Sequence, residues 1–147
     1  GQLQTNKVGQ MLDLFDYVES VDRSSLIAEL QKQTAKRNQI LPVLLQVNVA
    51  GETQKAGCAP EDAVALAQEL IAAPNLDVRG LMTIAPLVDH AEDVRPVFAS
   101  LRTLRDDLVR KLGHPLPELS MGMSNDFPVA IEEGATLVRI GRAIFVG

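Results

Sequence analysis

Pro42-Val-Leu-Leu-Gln-Val-Asn-Val49 is a near-continuous apolar run. A strand with one wet face alternates apolar and polar residues, whereas a run this uniform reads as a strand buried on both faces of a parallel sheet. Leu76 to Ile84 repeats the pattern, and shorter strand patterns occupy Tyr17 to Val21, Leu119 to Met123 and Leu137 to Ile140. Helical spacing fills the intervals. Asn6 to Leu14 puts Val8, Met11, Leu12 and Phe15 on one face, and Leu26, Ile27 and Leu30 form a stripe after a cap at Asp22 or Ser24. Pro60 opens a third helix, followed by Ala63, Val64, Leu66, Ala67, Leu70 and Ile71, that stops at Pro74-Asn75. Ala91 to Leu112, closed by Gly113, and Phe127 to Glu133, closed by Gly134, complete the set.

Five strands alternating with helices imply βαβ units around a parallel sheet. Periodicity leaves open whether that sheet is doubly wound or part of a (β/α)8 barrel. A full barrel takes about 250 residues, so a single domain over 1–147 corresponds to about five of eight βα units. Gly1 stands where a start Met would be, and the chain is expected to be a piece of a longer protein.

Composition narrows the function. The net charge is −5 and the aromatic content 3% with no Trp, so neither the basic footprint nor the stacking platforms of a nucleic-acid binder are present. No apolar run approaches the length of a membrane span. The single Cys58 fits a reducing, cytoplasmic setting, and with only His90 and His114 beside it a dedicated zinc site is not expected.

In a barrel, chemistry sits at the C-terminal strand ends, and phosphate sites often follow the last two strands. Here those ends are Leu119-Ser-Met-Gly-Met-Ser124 and Val138-Arg-Ile-Gly141. Glycine lets backbone approach an anion, and a serine hydroxyl adds a donor. A helix beginning near Asn125 would add its N-terminal dipole. Equally, Gly122 and Gly141 could only permit turns and Ser124 could be an N-cap. Arg139 lies within the final strand on the side of Gly141, and a charge there needs a partner: either a ligand, or a carboxylate such as Glu132 or Glu133. Met82 ends a strand as core or as the floor of a site. Asn48 either lines the mouth or caps a turn, and Lys55 follows in a polar loop.

Further segments occur in register with these: Gly1-Gln-Leu-Gln-Thr-Asn-Lys7, Ser20-Val-Asp22, Leu45-Gln-Val-Asn-Val49, Lys55-Ala-Gly57, Gly80-Leu-Met-Thr-Ile84 and Leu119 to Asp126. Together they resemble the YggS/PROSC family of pyridoxal 5′-phosphate homeostasis proteins over the whole chain. The resemblance implies a partial (β/α)8 TIM barrel of the alanine racemase N-terminal-domain type. It also implies a protein that binds pyridoxal phosphate without clear turnover. By position, Ser124 matches the family's phosphate-binding serine, the backbone at Gly141 and Arg142 the rest of the cradle, and Arg139 the arginine facing the pyridine nitrogen. Met82 and Lys55 match positions near the cofactor. The Schiff-base lysine of the family falls upstream of Gly1, and position 142 is Arg where many members have Thr or Ser.

Two other readings stay open. A racemase-like enzyme would need a lysine base and an opposing tyrosine, and Tyr17 is at the wrong end of its strand. An incomplete barrel would keep phosphate affinity only. Expected partners are pyridoxal phosphate and apo-enzymes that depend on it, with self-association through open sheet edges.

Overall fold

The computed structural model describes residues 1–53 and 56–145. Each of the five strand patterns forms a strand: β1 (Val18–Val21), β2 (Leu41–Gln46), β3 (Leu76–Met82), β4 (Glu118–Met123) and β5 (Leu137–Arg139). Their order in the sheet is their order in the chain, and each pairs in parallel with the next. A doubly wound sheet reverses its order at a switch point. This one never does, so it is a half-barrel of the alanine racemase type, with β1 and β5 each paired on one side.

The helices are α1 (Val8–Leu14), α2 (Ser24–Lys36), α3 (Ala63–Ala72), α4 (Arg95–Leu112), α5 (Phe127–Glu132) and α6 (Arg142–Phe145). The α6 turn is not foreshadowed by the sequence reading. The expected cap of α2 also differs. Its N-cap position is Arg23, with no side-chain cap. Asp22 instead pairs with Arg23 at 2.8 Å and accepts the Gly57 amide at 3.1 Å. Ser24 donates to Glu69 at 2.8 Å. Tertiary partners thus claim both side chains and bind the start of α2 to the loop after β2 and to α3. At the end of α4, Gly113 takes φ +63°, the left-handed conformation that closes helices.

The two faces of the sheet are separate. On the convex face, Val43, Leu45, Val78, Leu81, Leu119 and Met121 join one buried cluster with Leu30, Leu70, Phe98 and Leu101 from the helices. Leu44 and Met82 are also buried but stand outside that cluster. Register places Gln46, Met82 and Ser120 side by side across β2, β3 and β4, one residue out of phase with the convex set. All three are buried, Gln46 and Ser120 at no more than 3% exposure. β3 and β4 come together at Gly80, where an added Cβ would lie 1.8 Å from the Glu118 carbonyl oxygen. Only glycine permits that spacing. Among the described residues, no helix is long and apolar enough to cross a membrane.

Candidate functional site

The C-terminal ends of β4 and β5 meet at the rim of a cavity of about 530 Å³. Ser124, Arg139, Gly141 and Arg142 line it, together with Ile84 and Met123. Four of the six residues that the resemblance assigns to the cofactor therefore share one pocket. The Ser124 hydroxyl oxygen accepts the amide of Ala143 at 3.1 Å and that of Gly141 at 3.4 Å. Two backbone donors converge on one point because the chain turns from β5 into α6 directly beneath the end of β4. The second amide on Ser124, beside that of Gly141, is thus that of Ala143, whereas Arg142 is exposed at the mouth. Nothing in the sequence marks Ala143, since an amide carries no side-chain signature.

Ser124 is not the cap of α5. That helix has Asp126 at its N-cap position, with no side-chain cap bond. The Asp126 carboxylate accepts the Met123 amide at 2.7 Å instead, fixing the turn that presents Ser124. Asn125 sits in this turn, two residues before the helix begins.

Arg139 answers the question of its partner differently from expectation. Glu132 and Glu133 are taken by Arg95, at 2.6 and 2.8 Å, on the outer surface. Arg139 points across the concave face, donating to the Ser120 hydroxyl at 2.5 Å and to the Thr83 carbonyl at 2.8 Å. Ser120 in turn donates to the Glu19 carboxylate. Burial pulls the guanidinium pKa below its ordinary value, while the charges of Glu19 and Asp126 work against that shift. Arginine stays cationic under such conditions, so the site carries a fixed positive charge. Ser120 and Glu19 escaped the sequence reading, although a serine inside an apolar strand was the available signal.

Met82 lies in a second cavity, of about 640 Å³, which also takes in Tyr17 and Glu19. Ile84, Met123 and Arg139 belong to both cavities, so Arg139 stands at their junction. Tyr17 precedes β1, at the N-terminal end of the strands. Its phenol is pushed up chiefly by burial, with Glu118 adding to the shift, which makes it a poorer source of phenolate.

The remaining sequence candidates separate clearly. Asn48 organises its own loop, with Nδ2 donating to the Glu52 carbonyl at 2.6 Å and Oδ1 accepting the Glu52 amide at 3.3 Å. Lys55 lies outside the described residues. Cys58 is buried on the convex side, where desolvation and then Asp62 and Asp22 push its thiol up to about 12. Among the described residues, no three His, Cys, Asp or Glu side chains cluster as a metal site.

Comparison with known proteins agrees with this architecture. A protein named pyridoxal phosphate homeostasis protein, from Aquifex aeolicus, is 50% identical over 99% of this chain and 64% of its own length. The Pseudomonas aeruginosa protein of the same name is 47% identical over 99% of this chain and 61% of its own. A structure of PipY from Synechococcus elongatus PCC7942, with PLP bound, superposes with a TM-score of 0.90 at 36% identity. That match covers 99% of this chain and 68% of PipY. The chain thus spans less than two thirds of the length of these two curated relatives. The family model for the alanine racemase N-terminal domain matches residues 1–147, and with a half-barrel whose strand ends carry these residues, the chain belongs to the alanine racemase N-terminal-domain family.

Proposed function

We propose that this chain carries the phosphate and ring-nitrogen sides of a pyridoxal 5′-phosphate site, in a protein that holds the cofactor for cellular homeostasis without turning over a substrate. The observation that carries this reading is the convergence of the Gly141 and Ala143 amides on Ser124, beside a cationic Arg139 in the same cavity. A phosphate monoester asks for such a set: backbone donors, a hydroxyl and a positive field. The relatives named for pyridoxal phosphate homeostasis and the PLP-bound PipY support the same cofactor.

The residues divide the work. Ser124 with the Gly141 and Ala143 amides would hold the phosphate, and the Arg142 side chain at the mouth would add charge. Met82 lies on the concave side, where it would back the ring. Pyridoxal phosphate supplies an aldehyde and an electron-withdrawing ring when bound. Arg139 can donate hydrogen bonds but accept none, so it would keep a facing ring nitrogen unprotonated. That weakens the ring as an electron sink and favours storage over turnover. The reading takes the covalent bond to the cofactor to be made by a lysine other than Lys55, which the sequence motif offers as a second lysine. It also extends to delivery of the cofactor to apo-enzymes in a reducing cytoplasm, and to pairing of the β1 and β5 edges with further strands.

The test is titration of the chain with pyridoxal phosphate, in competition with inorganic phosphate, followed by borohydride reduction and adduct mapping. Saturable binding, competed by phosphate and weakened about tenfold by Ser124→Ala, is expected, since one charge-assisted hydrogen bond is of that size. Binding equally unaffected by phosphate and by Ser124→Ala would overturn the assignment. Racemisation of alanine or serine by the chain would favour an enzyme instead.

A further inference from the structure

Glu19, Ser120 and Arg139 come from β1, β4 and β5 and meet over the concave face of the sheet. Their hydrogen bonds have a forced direction. A guanidinium only donates, so Ser120 Oγ accepts from Arg139 Nη1 at 2.5 Å with one of its two lone pairs. The hydroxyl proton must then point elsewhere, and it points to Glu19. Glu19 is thus the terminal acceptor that orients Ser120, and Ser120 orients Arg139. The Thr83 carbonyl, 2.8 Å from Nη2, fixes the second nitrogen. These two anchors use Nη1 and Nη2 of a five-donor group, which leaves donors for an occupant of the cavity.

We infer that Glu19 is a positioning residue: through Ser120 it sets the plane of the Arg139 guanidinium, and so selects ligands that present an unprotonated acceptor opposite it. This rests on the pyridoxal phosphate reading for the identity of the ligand, but not for the relay itself. Glu19 also balances the charge of Arg139 inside a desolvated face, where an unpaired cation is costly. A strut of purely mechanical value would need no particular acceptor at position 19. The relay does, because only an acceptor holds the Ser120 proton away from Arg139.

The experiment has two arms. In the first, the ligand-free chain is labelled with 15N-arginine, and the Arg139 Nη signals are followed by NMR. They are expected to be resolved in the parent and in Glu19→Gln, which keeps an acceptor oxygen, and to broaden or merge in Glu19→Ala and Ser120→Ala. In the second, affinities for pyridoxal phosphate and for its analogue with carbon in place of the ring nitrogen are compared. The parent should prefer pyridoxal phosphate by about tenfold, the size of one hydrogen bond to a charged group. Glu19→Ala should compress that ratio below about threefold, and Glu19→Gln should restore it. Affinity for inorganic phosphate alone should stay the same in all three.

Arg139 signals unchanged in Glu19→Ala, or an unchanged ligand ratio, would overturn the relay. So would a melting-temperature loss shared by Glu19→Ala and Glu19→Gln with no change in either readout. If the parent binds no pyridoxal phosphate, the cofactor reading fails and the first arm still decides the relay. If Glu19→Ala does not fold, Glu19→Met, which fills the space but offers Ser120 no strong acceptor, takes its place in both arms with the same expected and overturning results.

Discussion

Along β2, Val43 and Leu45 turn to the helices while Leu44 and Gln46 turn the other way, and the two sides have been given different work. The convex side is built from apolar side chains that interlock with α2, α3 and α4, and the one buried polar side chain of α2, Thr34, returns its hydroxyl to the Leu30 carbonyl. The concave side adds Glu19, Ser120 and Arg139 to its apolar residues and opens at its C-terminal rim into the cavity that holds Ser124. The difference teaches where each property resides. Burial of apolar surface on one face supplies cohesion, at about 25 cal/mol per Å². The other face spends some of that cohesion to keep polar groups out of water and aligned.

The largest expected effect is on the convex side. Phe98 is fully buried in the first turn of α4, and Phe98→Ala should cost about 3–5 kcal/mol. Chemical denaturation would show it as a lower midpoint, while ligand affinity of the folded fraction should hold. A loss of affinity as large as the loss of stability would break the separation of the faces.

Gly80→Ala comes next. The new methyl must displace the β4 backbone at Glu118, and such overpacking costs about 1–3 kcal/mol or more. Because β4 leads directly into Ser124, this substitution should affect both properties. A variant with normal stability and normal binding would mean that β3 and β4 can part freely.

Ser124→Ala sharpens the contrast from the other side. Its hydroxyl is half-exposed and serves two amides at the rim. Stability should move by less than about 0.5 kcal/mol, as for a substitution away from the core. Phosphate-dependent binding should fall about tenfold, measured by titration.

The last effect is one of pH, on the convex side, and it grows from nothing near neutral pH. The Cys58 thiol is pushed up to about 12 in the folded chain, against about 8.5 for an unfolded cysteine. Between those values the folded state keeps a proton that the unfolded state has lost. Stability from this group is therefore complete below the unfolded value and falls as pH rises, by at most about 1.4 kcal/mol per pH unit. Denaturation midpoints of the parent and Cys58→Ala between pH 8 and 11 should diverge in that sense. Parallel curves would show that the thiol is accessible to water.

All five strands and their order of appearance were legible in the sequence, β2 most plainly, because a strand buried on both faces has a local signature, whereas β5 is short and its Leu137 and Val138 are exposed. Runs such as Leu41–Leu45 are apolar without alternation, and glycine or proline punctuates their ends. Ser124, Arg139, Gly141 and Arg142 were legible as strand-end residues, and they do share a cavity. The partner of Arg139 was not. Glu132 and Glu133 are near it in sequence, whereas Arg139 donates to Ser120 and to the Thr83 carbonyl, and the carboxylate behind Ser120, Glu19, is 120 positions from Arg139 and comes into reach only because the sheet curves.

The sequence by itself determined the alternation of strand and helix, the apolar faces and the residue types at the rim, because each depends on neighbours a few positions apart. The tertiary structure decided the rest. It chose a half-barrel over a doubly wound sheet, since strand order is a property of long-range pairing. It brought the amides of Gly141 and Ala143 to Ser124, and took Asp22 from the cap of α2 to the Gly57 amide. Hydrogen-bond partners are settled by which groups are within about 3 Å after folding, and separation along the chain does not encode that distance.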